Sequence, residues 1–209
     1  MHKLLLILSL MIFHVAGAQN KPLDAIAIQR IKQNVLQTAK TTSTISSDFI
    51  QEKEMSILND KIITSGKFYF KKERSLRWEY LHPFSYVITL RGDLISVNDE
   101  GVVKSFNTQS NKVFSEVNRI IIGSVNGTLL DDDSFIALYS QNKDYYIVSL
   151  TPLSATLKEN LEKIVLFFDK TDHTVDQLEM FESTGDFTRI TFIKKQLNQP
   201  IPDEVFILR

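Results

Sequence analysis

Side chains that could do chemistry are few in this sequence and lie far apart. The chain contains no cysteine and four histidines, and only His82 and His173 lie outside the first 18 residues, each in a predicted turn. Zinc-peptidase, nucleophile-elbow and glycine-rich phosphate-loop motifs are all missing from the sequence. The sequence therefore predicts a binding protein without catalytic residues, metal or cofactor. An enzyme would need acids from distant segments to converge in one cavity.

Three consecutive acids, Asp131, Asp132 and Asp133, are the other candidate for chemistry. A calcium loop of the EF-hand type needs alternating acids and a central glycine, which this run lacks. We interpret the run as the cap and first turn of a short helix that begins near Ser134.

A pattern suited to apolar binding occupies residues 65–80, SGKFYFKKERSLRWEY. Large apolar side chains stand at every second position, so in a strand they share one face. They are Phe68 and Phe70 on the first strand, then Leu76, Trp78 and Tyr80 on the second. Two interpretations remain open. The rings fill an ordinary core against helices, or the sheet is too wide for its helices and leaves a cavity for a lipid.

The elements around this stretch predict a meander with helices. Residues 23–39 carry apolar side chains at helical spacing, with Pro22 in the first turn. A period of two then marks strands at 48–51, 62–71, 76–80, 86–90, 94–98 and 102–107. Residues 112–122 carry apolar side chains at helical spacing again, and the predicted helix is terminated by Gly123. Further strands are predicted at 145–150, 164–169, 175–182, 188–194 and 205–208.

The first 18 residues have the order of a secretory signal peptide. Lys3 precedes an apolar run that is too short to span a bilayer, and Ala16-Gly17-Ala18 offers a cleavage site. The mature protein is then one domain, residues 19–209, that is exported to the periplasm or secreted. With 24 basic and 25 acidic residues, the chain lacks the clustered basic excess of a nucleic-acid-binding protein.

Several segments together resemble the outer-membrane lipoprotein carrier (LolA) family. They are SDFIQ at 47–51, TSGKFYFKKERSLRWEY at 64–80, the following HPF, and YYIVSLTP at 145–152. The resemblance implies an α+β, mostly β fold: an incomplete, half-open antiparallel β-barrel whose strongly curved sheet is covered by helices acting as a lid over an apolar cavity.

The resemblance also implies a task. Such carriers take acylated lipoproteins from an ATP-driven (ABC) release transporter in the inner membrane and shuttle them, as monomers, to an outer-membrane acceptor. Exposing a lipid anchor to water costs about 0.8 kcal/mol per CH₂, so the transfer needs a dry container. Phe68, Phe70, Leu76, Trp78 and Tyr80 are expected to line it, extended by Ile88 and Leu90 from the next strand.

Lid control is the least regular part of the resemblance. In the family an arginine, usually followed by proline, ends the first aromatic strand and hydrogen-bonds the lid. The matching residues here are Lys72 and Glu73, and lysine lacks the planar fork of arginine. Lys72 is therefore the expected lid-control residue, with a solvated strand-end lysine as the alternative. Arg74 or Arg77 could substitute, although Arg77 has the parity of the opposite face.

Two other functions fit the same residues. A LolA-like carrier could transport another acylated envelope lipid or a polyene, because a cavity lined by rings does not specify its cargo. A related half-barrel could also serve as a lipoprotein-sensing binding module that does not shuttle.

Overall fold

The computed structural model describes residues 20–57, 60–72, 75–108 and 112–208, with side chains of the last range described from residue 119 onward. The predicted signal peptide, residues 1–18, lies outside these residues, and so do Glu73 and Arg74. In the described part of the chain, no helix is both long and apolar enough to cross a membrane.

One antiparallel sheet dominates the described residues. Its strands are β1 (Lys21–Pro22), β2 (Thr44–Glu54), β3 (Lys61–Lys71), β4 (Ser75–His82), β5 (Tyr86–Arg91), β6 (Leu94–Asp99), β7 (Val102–Asn107), β8 (Phe135–Gln141), β9 (Tyr145–Pro152), β10 (Lys163–Asp169), β11 (Val175–Phe181) and β12 (Phe187–Leu197). The spatial order is β1-β8-β9-β10-β11-β12-β2-β3-β4-β5-β6-β7. As far as the structure describes the chain, β1 and β7 do not pair, so the sheet is not closed. The mostly β, open-sheet architecture predicted from the sequence is confirmed.

Most of the predicted strands are present, and the differences have local causes. The prediction of a helix beginning near Ser134 is wrong. The Asp132 carboxylate accepts a hydrogen bond from the Ser134 backbone N–H at 2.8 Å in a turn, and β8 follows and pairs with β9. The strand predicted at 205–208 is also wrong, because Asp203–Phe206 forms a 3-10 turn. His82, predicted in a turn, ends β4.

The bounds of the two long helices differ from the prediction, except that the second helix begins at Lys112 as predicted. α1 (Ala25–Thr41) is capped by Asp24, whose carboxylate accepts the Ala27 N–H at 2.8 Å. Pro22, predicted in the first turn, instead pairs with Ser140 in the sheet. α2 (Lys112–Asn126) continues past Gly123, so its predicted end was wrong. A short α3 (Ala155–Lys158) follows β9.

One face of the sheet, which we call the inner face, carries the core. On β2–β5 it presents side chains paired across strands: Phe68 lies opposite Trp78, and Trp78 opposite Ile88. On β8–β10 it presents aliphatic side chains that are fully buried: Val148, Leu150, Ile164 and Leu166. Ile31 and Val35 of α1 and Ile120 of α2 belong to the same cluster, so the helices lie on this inner face.

The chain's last described residues cover part of the outer face. Ile201 and Phe206 are buried. Lys71 donates to the Ile201 carbonyl at 3.1 Å, and Arg77 donates to the Val205 carbonyl at 3.3 Å. Lys71 and Arg77 therefore bind this C-terminal segment on the side of the sheet away from the helices.

Gly66 shows why one strand position in the aromatic region must be small. It sits at a register shift between β3 and β4. A Cβ at this position would collide with the backbone carbonyl oxygen of Glu79. The close approach brings Tyr80 over the inner face, where its ring meets Phe49 edge-on at 5.2 Å.

Candidate functional site

A cavity of about 280 Å³ lies between the inner face and the two long helices. The helices contribute mostly small side chains to its wall, among them Thr38, Ala39, Ser124 and Val125. The opposite wall comes from β2–β6, β11 and β12. Small residues on the helices leave unfilled the space that larger side chains would close.

The structure brings most of the predicted binding residues to this cavity. Six of the seven line its wall: Phe68, Leu76, Trp78, Tyr80, Ile88 and Leu90. Phe70 does not line it and is only 3% exposed, within the packed core beside the cavity. Alternation along β3 and β4 was therefore sufficient to predict that their even-numbered side chains share the inner face. It could not predict which of them border the cavity and which lie in the core.

Ring-to-ring contacts hold the aromatic wall in place. The Trp78 ring lies 5.0 Å from Phe49, 5.2 Å from Phe68 and 5.9 Å from Phe192, measured between centroids. The pairs are tilted or edge-to-face, which are the favourable geometries for aromatic rings. Because the rings support one another, the wall is preformed and exposes ring surface to the cavity.

A small polar group interrupts this wall at one end. The Tyr80 hydroxyl donates to Gln51 Oε1 at 3.0 Å. Burial raises the pKa of Tyr80 to about 12, against the opposing effect of the nearby Trp78 N–H and the Gln51 amide. Trp78 Nε1 is close enough to act on this pKa, but it does not meet hydrogen-bond geometry with any described residue. A buried donor without a partner costs about 1–3 kcal/mol.

The other end of the cavity is charged. Lys195 lines the wall there, and its ammonium group contacts Asp172 at 3.3 Å together with Thr174 and Asp176. His173 is the neighbouring wall residue, and its ring stacks on Tyr146 at 6.3 Å. The positive charge of Lys195 is thus already matched by two carboxylates.

The C-terminal half of α1 is fixed to this charged end by hydrogen bonds. Asn34 Nδ2 and His173 Nε2 are 3.1 Å apart, and the Thr38 hydroxyl donates to the Asp172 carbonyl at 3.1 Å. Nearer the N-terminus of the helix, the Lys32 ammonium group pairs with the Asp131 carboxylate at 2.6 Å. This hydrogen bond raises the pKa of Lys32. Moving α1 away from the 172–173 turn would break the contacts of Asn34 and Thr38.

Lys72 lies at the end of α1 rather than in the cavity. The side chain is exposed, and its ammonium group donates to the Lys40 carbonyl at 2.8 Å. Arg77 lies on the outer face, as its parity predicts, where it pairs with Glu79 at 2.9 Å. Lys72 therefore contacts the helix over the cavity, whereas Arg77 does not. Arg74, the other candidate, lies outside the described residues.

Among the wall residues that sequence reasoning missed, three polar or charged ones illustrate different causes. Gln51 could have been found, because it shares the face of Phe49 by the period of two. His173 and Lys195 could not, since a turn and a strand end far apart in sequence meet only through the sheet. Among the residues that the structure describes, no group of three or more acids and histidines could hold a metal ion. The arrangement is suited to holding an apolar molecule.

Comparison with known proteins gives one family and several similar folds. The family model of the outer membrane lipoprotein carrier protein LolA matches residues 40–209. No curated protein sequence matches the chain significantly. A LolA superfamily protein from Nitrosomonas europaea is similar in fold, with 11% identity and a TM-score of 0.45 over 87% of this chain and 97% of that one.

Two further solved structures are similar at the same low level of identity. The Mycobacterium tuberculosis lipoprotein LppX has 12% identity and a TM-score of 0.49, over 86% of this chain and 99% of that one. A structure of the Pseudomonas aeruginosa MucA/MucB complex has 10% identity and a TM-score of 0.50, over 88% of this chain but 61% of that one. At such identities the similarity concerns the fold alone. The family match, however, covers most of the sequence, and the chain belongs to the outer membrane lipoprotein carrier protein LolA family.

Proposed function

We propose that this protein carries the acyl chains of lipoproteins in its cavity and shuttles them from the inner to the outer membrane. The observation that supports the proposal most directly is the wall of paired rings and aliphatic side chains facing an unfilled space beneath two helices. Each CH₂ kept out of water there is worth about 0.8 kcal/mol. The work is binding and release, with no catalysis and no cofactor.

The size of the cavity supports a carrier that opens. Its 280 Å³ lies just below the range of about 300–1,000 Å³ found for small-molecule pockets. A lipoprotein with several acyl chains therefore needs more room than this conformation provides. We propose that α1 and α2 form the lid and that loading moves them away from the inner face.

The contacts that this movement breaks suggest how the lid is controlled. In the proposal Lys72 acts as the lid-control residue through its hydrogen bond to the Lys40 carbonyl at the end of α1. The hydrogen bonds of Asn34 and Thr38 to the 172–173 turn hold the same helix from the opposite side. A single hydrogen bond contributes about 0.5–1.5 kcal/mol, so a few such contacts can be broken by a transporter that uses ATP.

The proposed pathway requires export and two partners. Residues 1–18 would be removed after Ala18, leaving a periplasmic, monomeric carrier formed by residues 19–209. It would receive cargo from an ABC release transporter in the inner membrane and give it to an outer-membrane acceptor. N-terminal sequencing of the protein from a periplasmic extract tests the cleavage, and a chain that retains Met1 would contradict it.

The function itself is tested with a palmitoylated lipopeptide and the purified mature protein. Trp78 is the single tryptophan, so its fluorescence reports on the cavity wall directly. We expect saturable quenching or a blue shift in the native protein and its loss in Ile88→Glu, because an unpaired carboxylate in an apolar cavity is unfavourable. Ile136→Glu, at an isoleucine that is 52% exposed on β8, is the matched control and should bind normally.

Cargo and direction of transport need a second assay. Vesicles that contain the release transporter should discharge a labelled lipoprotein into the soluble fraction only when the carrier is added. If the protein binds fatty acids or polyenes but never takes up lipoprotein, the cargo is another envelope lipid. If it binds lipoprotein but does not deliver it to outer-membrane vesicles, the protein is a sensor rather than a shuttle.

A further inference from the structure

We propose that the cavity contains a polar subsite that binds one uncharged hydrogen-bond acceptor at the head of an acyl chain, such as an ester or amide carbonyl. The subsite is formed by Trp78 Nε1–H and the Gln51 amide, and Tyr80 positions that amide. The inference rests on the proposed acyl-chain carrier function and adds to it a defined orientation and a preference for the chemistry of the head.

The first observation is the unpartnered donor in the cavity wall. The Trp78 side chain is 7% exposed and lines the cavity, and its Nε1 atom has no hydrogen-bond partner among the described residues. Thr64 Oγ1 is also buried and unpartnered, and Thr64 lies directly across the strand pair from Gln51. Two unpartnered polar atoms thus lie in the same region of the inner face.

The second observation is the fixed orientation of Gln51, a wall residue. The Tyr80 hydroxyl donates to Gln51 Oε1, which leaves the Nε2 hydrogens of the amide as donors. Because burial keeps the Tyr80 hydroxyl protonated far above neutral pH, it remains a hydrogen-bond donor to the amide at neutral pH. We assign these Nε2 hydrogens and the Trp78 indole N–H to one subsite, because the Tyr80 hydroxyl lies within interaction range of both side chains.

The charges around the subsite favour a neutral head over an anion. Among the described wall residues, Lys195 carries a charge at the opposite end, where Asp172 and Asp176 already match it. Beyond Gln51 on the same face, Lys53 pairs with Glu182 at 3.0 Å and lies 3.9 Å from Asp186. From the side chains that the structure describes, a carboxylate at the subsite would gain two neutral donors and no unpaired cation. That gain would not compensate for the loss of its hydration.

The position of the subsite also gives the chain a direction. Cross-strand pairs run from Tyr80 and Tyr86 through Trp78 and Ile88 to Leu76, Leu90 and Ile95. Trp78, Ile88, Leu76, Leu90 and Ile95 all line the cavity. A head held at Gln51 and Trp78 therefore places the acyl chain along Ile88 toward Leu90 and Ile95.

The test compares three probes with one tail: methyl laurate, an alkane of matched length, and laurate at neutral pH. Affinity is measured from Trp78 fluorescence, and the Trp78 indole N–H is followed by NMR, since one tryptophan gives one such resonance. We expect methyl laurate to bind about fivefold more tightly than the alkane and to move the indole proton downfield, as one added hydrogen bond would.

Tyr80→Phe removes the hydroxyl that orients Gln51 and keeps the ring in the wall. We expect it to reduce the preference for the ester over the alkane, measured as the ratio of the two affinities in the same variant, to below about twofold. Tyr86→Phe is the matched control, because Tyr86 lies directly opposite Tyr80 on β5 and does not line the cavity. It should leave the ester preference intact.

Each outcome separates the subsite from the carrier function. Equal affinity for ester and alkane, with an unmoved indole proton, overturns the subsite and leaves acyl-chain binding in place. Tighter binding of laurate than of methyl laurate also overturns it and moves the head to the Lys195 end. If no probe binds, the proposed acyl-chain cavity fails as well.

Discussion

The strands in the two halves of the sheet show the same alternation of side chains. The inner face is packed core in one half and borders a cavity in the other. In the packed half, β8–β10, Val148, Leu150, Ile164 and Leu166 are completely buried and contribute nothing to the cavity wall. In the cavity half, β2–β6 with β11 and β12, the aromatic and aliphatic side chains border an open space of about 280 Å³. Alternation along a strand therefore specifies which face is apolar, and the elements that cover that face decide whether it becomes core or cavity.

The covering elements differ in side-chain size. Over the packed half, the 3-10 turn Thr128–Asp131 buries Leu129 and Leu130, and the Tyr139 hydroxyl of β8 donates to the Leu130 carbonyl at 2.9 Å. Gly127, with φ of +70°, lets this turn approach Val35 of α1. Over the cavity half, the helices offer the larger Ile120 and Ile121 together with smaller side chains, which are Thr38, Ala39, Ser124 and Val125.

The largest expected difference between the halves is the effect of one isoleucine truncation in each. Ile164→Ala should lower the free energy of unfolding by about 2–5 kcal/mol, because it leaves a void among fully buried neighbours. Ile88→Ala, at a half-buried cavity position, should lower it by less than about 2 kcal/mol but weaken lipopeptide binding. Urea denaturation and Trp78 fluorescence measure the two effects. Equal losses of stability would mean that both halves are packed alike.

Alkaline pH should also separate the halves. Tyr80 keeps its proton up to a pKa of about 12 when folded, whereas an exposed tyrosine has a pKa of 10.0. Between pH 10 and pH 12 the unfolded chain thus binds fewer protons, so stability falls as the pH rises, by about 2–3 kcal/mol for this residue.

Tyr80→Phe should therefore flatten the decline of stability between pH 10 and pH 12. Burial also raises the pKa of Tyr139 in the packed half, but the neighbouring Lys32 opposes the shift, so Tyr139→Phe should flatten the decline less. Urea denaturation at a series of pH values provides the measurement. An unchanged slope in Tyr80→Phe would show that its hydroxyl is solvated.

Replacing one alanine by leucine in each region should change stability by a smaller amount, and the two changes should have opposite signs. Ala39→Leu should fill part of the cavity, raise stability by about 1 kcal/mol and reduce lipopeptide binding. Ala137→Leu, on β8 against the core cluster, should overpack it and lower stability by about 1–3 kcal/mol. Thermal and urea denaturation of both variants decide the signs, and stabilisation by Ala137→Leu would reveal unfilled space in the packed half.

The smallest effect is expected from substituting two adjacent lysines. Lys72 contacts α1 over the inner face, and Lys71 contacts the C-terminal segment on the outer face. Lys72→Met removes the hydrogen bond to Lys40, and Lys71→Met removes those to Ile201 and Asp203 on the outer face. Each should cost no more than about 1 kcal/mol, because both side chains are partly or fully exposed. Lys72→Met alone should speed hydrogen exchange at the end of α1. Faster exchange there in Lys71→Met as well would argue against a specific role for Lys72 in the lid.

Local sequence predicted much of the fold for physical reasons that are easy to identify. A period of two requires only that one face of a strand be buried, and it placed Phe68, Trp78 and Ile88 on the inner face without knowledge of their partners. Helical spacing predicted α1 and α2 for the same reason. The errors occurred where local signals conflicted, as at Asp132, where acids suited to capping a helix instead form the turn before β8.

What the sequence determined by itself is thus the identity of the apolar face, the family and the position of the aromatic strands, because periodicity and motifs are properties of short segments. Only the tertiary structure decided that Phe70 is core while Phe68 borders a cavity. It also decided that Lys195 and His173 lie at one end of the cavity, and Gln51 and Trp78 at the other. These outcomes depend on which side chains from distant elements cover each position, and that information is in the packing of the whole chain rather than in any one segment.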